Sequence, residues 1–419
     1  MTADLHRRLT LPSALAIGVG SMVGAGVFTA LGLAAALTGG RVGPLVLALV
    51  LAVVVATCNA ISTAQLAAVH PASGGTYVYG RRQIGETAGF VAGWGFVTGK
   101  TASVAAMATT MGLYLFPGDG WAARLTGVAA VVVLTAVALR GITRTAQATV
   151  AILVPVLGVL ALTIVAGLTR GGATRVADLV LADAGPSGVL MAAGLLFFAF
   201  AGYARVATMG EEVVDPERTI PRAVLGAFGF TVMLYALLAW ALVTVLGPAG
   251  LALSPAPVRS ALEAALGAGW GWLAVVGAAL ACAGAMLNLL AGISRTGLAM
   301  AREGDLPGAL ARVGASTGTP WVAQVSVAVV VIVLVLATDI LTIVGFSSFG
   351  VLVYYAVANA AALTLRPAQR AVRVPRAVNV LGLVLCVVLA LTLPPLSVAA
   401  MVGVFLIGLG GRALLRTRR

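Results

Sequence analysis

Long apolar stretches, parted by short polar or basic ones, follow one another along the whole chain. Twelve of them run to roughly 17–30 residues, enough for a helix to cross a hydrocarbon core of about 30 Å. They are Ser13–Leu37, Pro44–Val69, Thr87–Leu115, Ala122–Leu139, Ala146–Leu168, Gly188–Met209, Ala223–Leu246, Gly269–Met300, Trp321–Ala337, Ile340–Leu365, Val378–Leu393 and Leu396–Leu415. Only Pro394 and Pro395 separate the last two. The pattern predicts an all-α integral membrane protein of twelve transmembrane helices, with no soluble domain or low-complexity tract.

Two segments are interrupted. In segment 1, the stretch Gly18–Phe28 places Gly18, Gly20, Gly24 and Gly26 within nine positions. Glycine weakens a helix, and opened backbone in a bilayer must be satisfied internally or line a cavity. Two readings stand side by side. Gly20-Ser21-Met22-Val23-Gly24 fits the G-x-x-x-G pattern of a helix-packing face. Alternatively, the freed N–H groups of Gly24 to Gly26 bind a carboxylate, as helix N-termini do, while carbonyls near Gly20 and Met22 accept from an ammonium. An α-amino acid carries both charges on one carbon. Segment 6 reads Leu195-Leu196-Phe197-Phe198-Ala199-Phe200-Ala201-Gly202-Tyr203, an aromatic run before a small-residue break. The aromatics are core or a lid over a cavity. Five segments separate the breaks, and an odd number per repeat turns the second copy upside down. Paired broken segments in inverted halves point to a transporter site.

At 61% hydrophobic, 9% charged and a mean hydropathy of +1.08, the chain is no soluble domain. The net charge of +13 would suggest nucleic acid, but the charges lie in short loops and report orientation instead. Twenty arginines fall on the side of the N-terminus and five (Arg41, Arg124, Arg170, Arg175, Arg259) on the other, which places both termini in the cytoplasm. The basic start, MTADLHRR, precedes an apolar run too long for a signal peptide, so the first span is expected to be retained. Cys58, Cys282 and Cys386 lie in apolar segments and, with His6 and His70, form no metal-ligand spacing. No metal or cofactor is expected. No paired carboxylates, nucleotide loop or Ser/His set supports an enzyme.

Four stretches in register carry a resemblance: GVGSMVGAGVF in segment 1, HPASGGTYVYGRR followed by GFVAGW, FFAFAGY through EEVVDPERTIPRA, and SRTGLAMAREGDLP after segment 8. In these the chain resembles the amino acid–polyamine–organocation superfamily of transporters. The resemblance implies one transmembrane domain over residues 1–419 with a LeuT-like five-plus-five inverted repeat and broken helices 1 and 6. The first repeat would be 13–168, the second 188–365, and 378–415 two additional helices. It also implies alternating access, with segments 1, 2, 6 and 7 rocking against the rest. The family's carboxylate contact falls on Gly24, Ala25 and Gly26. Its ammonium contacts fall on carbonyls near Met22, and from Phe198 to Ala201 beside Gly202. Its occluding aromatics match Phe198 and Phe200. Asn288 and Ser294 in segment 8 are pocket candidates, Ser294 also for coupling, unless both simply pack helices. Three departures stand out. Ala25 lacks the hydroxyl some members carry, Ala204 replaces a glutamate, and Gln147–Pro155 lacks the lysine of proton-coupled members.

Lys100 is the sole lysine and lies mid-span in segment 3, where charge is costly and functional by default. It could load and release a proton, stand where relatives hold a cation and brace segment 1, or pair with an acidic substrate. A cation or proton surrogate is the preferred role, with a lysine bonded only to backbone as the plain alternative. The charges after segment 6 are a solvated loop or, with Glu212, Arg218, Arg222 and Arg302, a cytoplasmic gate. The expected function is a secondary active permease or exchanger of amino acids in the cytoplasmic membrane. No carboxylate lies mid-span in segments 1, 3, 6 or 8, which favours a neutral substrate, with a proton as candidate coupling ion. The alternatives are a polyamine or cationic amino acid antiporter, a transport-dead sensor of the same fold, or a channel. Small-molecule cargo and lipid are the expected partners, nucleic acid is not, and oligomeric state is open.

Overall fold

A computed structural model describes residues 9–71, 74–140, 146–170, 185–207, 209, 213–314, 317–370, 372 and 374–417. In chain order the helices are α1 (Leu11–Met22), α2 (Leu31–Leu37), α3 (Val42–Val69), α4 (Thr76–Gln83), α5 (Glu86–Leu115), α6 (Gly120–Leu139), α7 (Ala146–Arg170) and α8 (Gly185–Phe200). There follow α9 (Ala204–Ala207), α10 (Pro216–Leu253), α11 (Pro257–Leu266), α12 (Gly271–Arg302), α13 (Trp321–Ala337), α14 (Ile340–Leu363), α15 (Arg376–Leu391) and α16 (Pro395–Thr417). Among the described residues the sole β pairing is one parallel bridge from Leu9 to Val213.

The ends follow from local chemistry. Asp119 and Asp339 accept from the first free amides of α6 and α14. Gly247, at φ +66°, turns the chain within α10 just before Pro248. Among the described residues nine stretches are long and apolar enough to cross a membrane, among them Leu11–Leu37 and Gly185–Ala207, each taken across its interruption. Helices α13 and α15 are apolar but shorter, and the 30-residue α5, which carries Lys100, lies outside the nine.

Helix α14 lies along α5, and glycine makes this possible. A Cβ on Gly350 would sit 2.7 Å from the Gly95 carbonyl oxygen and 2.7 Å from Gly99 Cα. Gly95 and Gly99 are one turn apart, so they form a close small-residue face on α5. In segment 1 the two glycines of the G-x-x-x-G match face different neighbours. A Cβ on Gly20 would meet Thr149 of α7, whereas one on Gly24 would meet Met107 of α5 and Ala285 of α12. The helix ends between them, so they form no single packing stripe.

Candidate functional site

Both expected interruptions are present. Helix α1 ends at Met22, Val23 leaves helical geometry (φ −79°, ψ 83°), and the Gly24 amide turns back to the Met22 carbonyl at 3.0 Å. Ala25 is helical again, Gly26–Ala30 form a π-helical turn, and α2 continues from Leu31. The opening is therefore two residues long, Val23 and Gly24, far shorter than Gly18–Phe28. Helix α8 ends at Phe200 and tightens into a 3-10 turn, Ala201–Tyr203, before α9.

The two breaks press against each other. A Cβ on Gly202 would lie 2.2 Å from the Ser21 carbonyl oxygen, and one on Gly26 would lie 2.5 Å from Ala199 Cα. These glycines are needed for close approach of main chain to main chain, a role distinct from flexibility. Every residue from Met22 to Leu31 is buried.

An opened helix frees backbone acceptors, and buried acceptors need donors. Here three side chains from other helices supply them. The Tyr235 hydroxyl of α10 lies 2.7 Å from the Met22 oxygen and 3.2 Å from the Ala199 oxygen, so one proton serves both breaks. The Lys100 ammonium of α5 donates to the Ala201 carbonyl at 2.9 Å, and the Tyr355 hydroxyl of α14 approaches the same oxygen at 3.5 Å. Farther along segment 1, Tyr114 donates to the Phe28 carbonyl at 2.7 Å and Thr29 to that of Ala25 at 2.8 Å.

Lys100 thus braces segment 6, whereas the bracing role considered from the sequence was at segment 1. The reason lies in the α5–α14 contact. The close Gly99–Gly350 approach fixes the face of α5 on which Lys100 lies, and that face meets the Ala201 turn. Among the described residues no carboxylate lies within 4 Å of its ammonium.

The other expected residues divide. Phe200 is fully buried between α8 and α10, with its ring 5.2 Å from Tyr235 and 6.0 Å from Phe228. Phe198 is 8% exposed. Gly26, Ala199, Phe200 and Tyr235 border a cavity of about 10 Å³, room for one water. Asn288 lies one turn beyond Ala285, the α12 residue facing Gly24. Ser294 donates to Ala291 of its own helix. The Ser21 hydroxyl is buried with no hydrogen-bond partner among the described residues.

Glu212 lies outside the described residues. Arg218, Arg222 and Arg302 are exposed, and the ion pairs of the described residues form elsewhere. Their centre is Asp305, fully buried in the turn after α12. It accepts from Arg81 of α4 at 3.0 Å, Arg412 of α16 at 2.7 Å, Arg416 at 3.3 Å and the Tyr77 hydroxyl at 3.0 Å. Glu86, at the start of α5, pairs with Arg416 at 2.6 Å, and Glu303 with Arg81 at 3.1 Å. The Glu86 carboxyl is held below the usual glutamate range, first by the hydrogen bond from Arg416 and then by the Arg416 and Arg81 charges. From the sequence these arginines mark only the membrane side. Arg81, Glu303 and Asp305 within two motif stretches, with Glu86 just after the first, are the available signal.

The family described as amino acid permease matches residues 9–408. An uncharacterized transporter of Mycobacterium tuberculosis is 51% identical, over 99% of this chain and 93% of its own length. A cationic amino acid transporter of Arabidopsis thaliana is 28% identical over 85% of this chain and 65% of its own length. A methylthioribose transporter of Bacillus subtilis is 26% identical over 76% and 72%.

Proposed function

The chain belongs to the amino acid permease family, and we propose that it is a secondary active transporter of neutral amino acids in the cytoplasmic membrane. The observation that carries this is the pair of abutting breaks, α1/α2 and α8/α9, whose exposed main chain is met by neutral hydroxyls and one ammonium. Main-chain groups at a helix opening suit the α-amino and α-carboxylate groups that all amino acids share. Gly24, Ala25 and Gly26 would take the carboxylate. Carbonyls at Met22 and from Phe198 to Ala201 would take the ammonium, with Phe198 and Phe200 closing over it. Asn288, near the Gly24 face, is the nearest polar side chain of α12 for selecting cargo.

In this reading all twelve apolar segments cross the membrane, with α5, α13 and α15 joining the nine longest stretches. Segments 1–5 and 6–10 form the inverted repeats. Both termini face the cytoplasm, as the arginine distribution favours. The cavity of about 10 Å³ beside the breaks is too small for an amino acid, so cargo binding at that point requires the breaks to part. That is the motion alternating access provides.

Two relatives are named for cationic amino acids or methylthioribose, so a cationic cargo is the reading to weigh against this one. A second ammonium would need a carboxylate to face it. Among the described residues Asp305, the fully buried acid, is committed to arginines. The resident Lys100 charge further opposes a cation. The test is counterflow of radiolabelled amino acids in proteoliposomes across a neutral, acidic and basic panel, repeated with proton and sodium gradients. Neutral amino acids should exchange and basic ones should not. Saturable uptake confined to arginine, lysine or polyamines would overturn the assignment, and a proton gradient without effect would remove the proton as coupling ion.

A further inference from the structure

One contact at the breaks is chemically of the same kind as the contact expected of cargo. Lys100 presents a primary ammonium, on a buried side chain from a third helix, to the Ala201 carbonyl in the segment 6 turn. The other freed carbonyls, at Met22 and Ala199, receive a hydroxyl, whereas at Ala201 the Tyr355 hydroxyl stands back at 3.5 Å and Lys100 makes the close contact. Lys100 is 6% exposed, and among the described residues its one hydrogen bond ends on that carbonyl. A lysine placed only to pack helices would not need to end on the turn of a broken one.

We propose that Lys100 is a tethered stand-in for the cargo ammonium. It holds the Ala201 carbonyl when cargo does not, and yields it when the amino group of cargo arrives. This rests on the reading that the chain carries amino acids, and it adds a consequence that reading lacks. A carrier whose break is satisfied only by cargo cannot cross without cargo, because a buried carbonyl would be left bare. Such a carrier exchanges. A carrier with its own ammonium on that carbonyl completes the return step without cargo and so catalyses net transport. The same lysine sets cargo charge. Once displaced it remains on α5 beside the site, so cargo bearing a second ammonium meets a like charge in a low-dielectric space.

The chain is suited to a direct test, because Lys100 is its only lysine. Full-length protein is reconstituted and one neutral amino acid that wild type exchanges is chosen from the panel. Two initial rates are then measured: uptake into vesicles preloaded with that amino acid, and uptake into vesicles without it. The ratio of net uptake to exchange is the readout. In Lys100→Met the ratio should fall about ten-fold or more, the rate cost of one buried acceptor left unmade. Lys100→Arg, which keeps a cationic donor, should restore much of it. A Lys100→Met ratio equal to that of wild type overturns the proposal. If Lys100→Met is not recovered as monodisperse protein, wild type decides the matter. Biosynthetic [13Cε]lysine gives one lysine resonance, expected to shift when the amino acid saturates the carrier. A resonance unmoved at saturation overturns the proposal. Wild type that neither exchanges nor accumulates any amino acid in the panel refutes the transport reading itself, and the proposal with it.

Discussion

The contact between the two breaks makes Gly202→Ala the most discriminating substitution away from Lys100. An added Cβ would lie 2.2 Å from the Ser21 oxygen, 2.4 Å from the Ser21 carbonyl carbon and 2.6 Å from the Met22 nitrogen. All three are main-chain atoms, so no rotamer change relieves the clash. Restoring an ordinary 3.4 Å contact from 2.2 Å requires the breaks to part by 1.2 Å. Overpacking of this kind costs about 1–3 kcal/mol. Parting the breaks also stretches the Tyr235 bridge, now 2.7 Å to Met22 and 3.2 Å to Ala199, and losing such a bond costs a further ~1 kcal/mol. Gly202→Ala should therefore be destabilised by roughly 2–4 kcal/mol and lose most of its transport. The assay is thermal unfolding of purified protein in detergent, paired with counterflow in liposomes. The control is Gly229→Ala on α10, where an added Cβ meets nothing within 4 Å and should gain slightly from helix propensity. Gly202→Ala with the melting temperature and transport of wild type would refute the idea that the breaks must touch main chain to main chain.

Other outcomes follow from the same contacts. Tyr235→Phe keeps the ring packed on Phe200 but leaves the Met22 and Ala199 carbonyls without their shared donor, so melting should reveal a loss of about 1–3 kcal/mol. An unchanged melt would mean another donor takes over. Asp305→Asn removes the charge facing Arg81, Arg412 and Arg416. Breaking a buried pair costs about 3–5 kcal/mol, and the exposed Glu86 should offset part of it, giving lower expression and an earlier melt. The Glu86 carboxyl is depressed in the folded protein, so its stabilisation is present above the unfolded value of about 4.5 and is lost as pH falls through the folded value. The melting temperature of wild type should drop across that acid range, and Glu86→Gln should drop less steeply.

Much of the architecture was legible because a bilayer leaves few solutions. Long apolar runs become helices, and the glycine cluster and the Ala201-Gly202 pair became real interruptions. Their extent was not legible. Gly18 lies within α1, where an added Cβ would meet Ala227 at 2.8 Å, so it serves packing against α10. Composition cannot separate a glycine that opens a helix from one that lets another helix approach. Nor could a single sequence show which donor answers which freed carbonyl. Tyr235 and Tyr355 look like ordinary aromatics within apolar runs, and only the crossing of α10 and α14 behind the breaks gives their hydroxyls a role. Lys100 was conspicuous by charge alone, but its partner depended on the Gly99–Gly350 approach, contributed by residues about 250 positions apart.

Two sets of polar contacts in this protein differ in strength. Multiply charged pairs join α4, the start of α5, the turn after α12 and the end of α16, and they converge on one buried carboxylate. Among the described residues, the partners of Asp305 and Glu86 all lie outside the two broken segments. The breaks are held instead by single hydrogen bonds from Tyr235, Lys100 and Tyr355, each to a carbonyl. A buried ion cluster is costly to open, because separation leaves charges uncompensated. A hydrogen bond to a carbonyl is exchanged at little net cost whenever another donor is at hand. Elements tied by the cluster should therefore move as one, and the broken helices should slip against them by trading donors. The order of motion follows without any charged gate at Arg218, Arg222 or Arg302. Cysteines placed across α4 and α16 should cross-link without loss of transport, whereas cysteines bridging α1 and α8 at the breaks should arrest it.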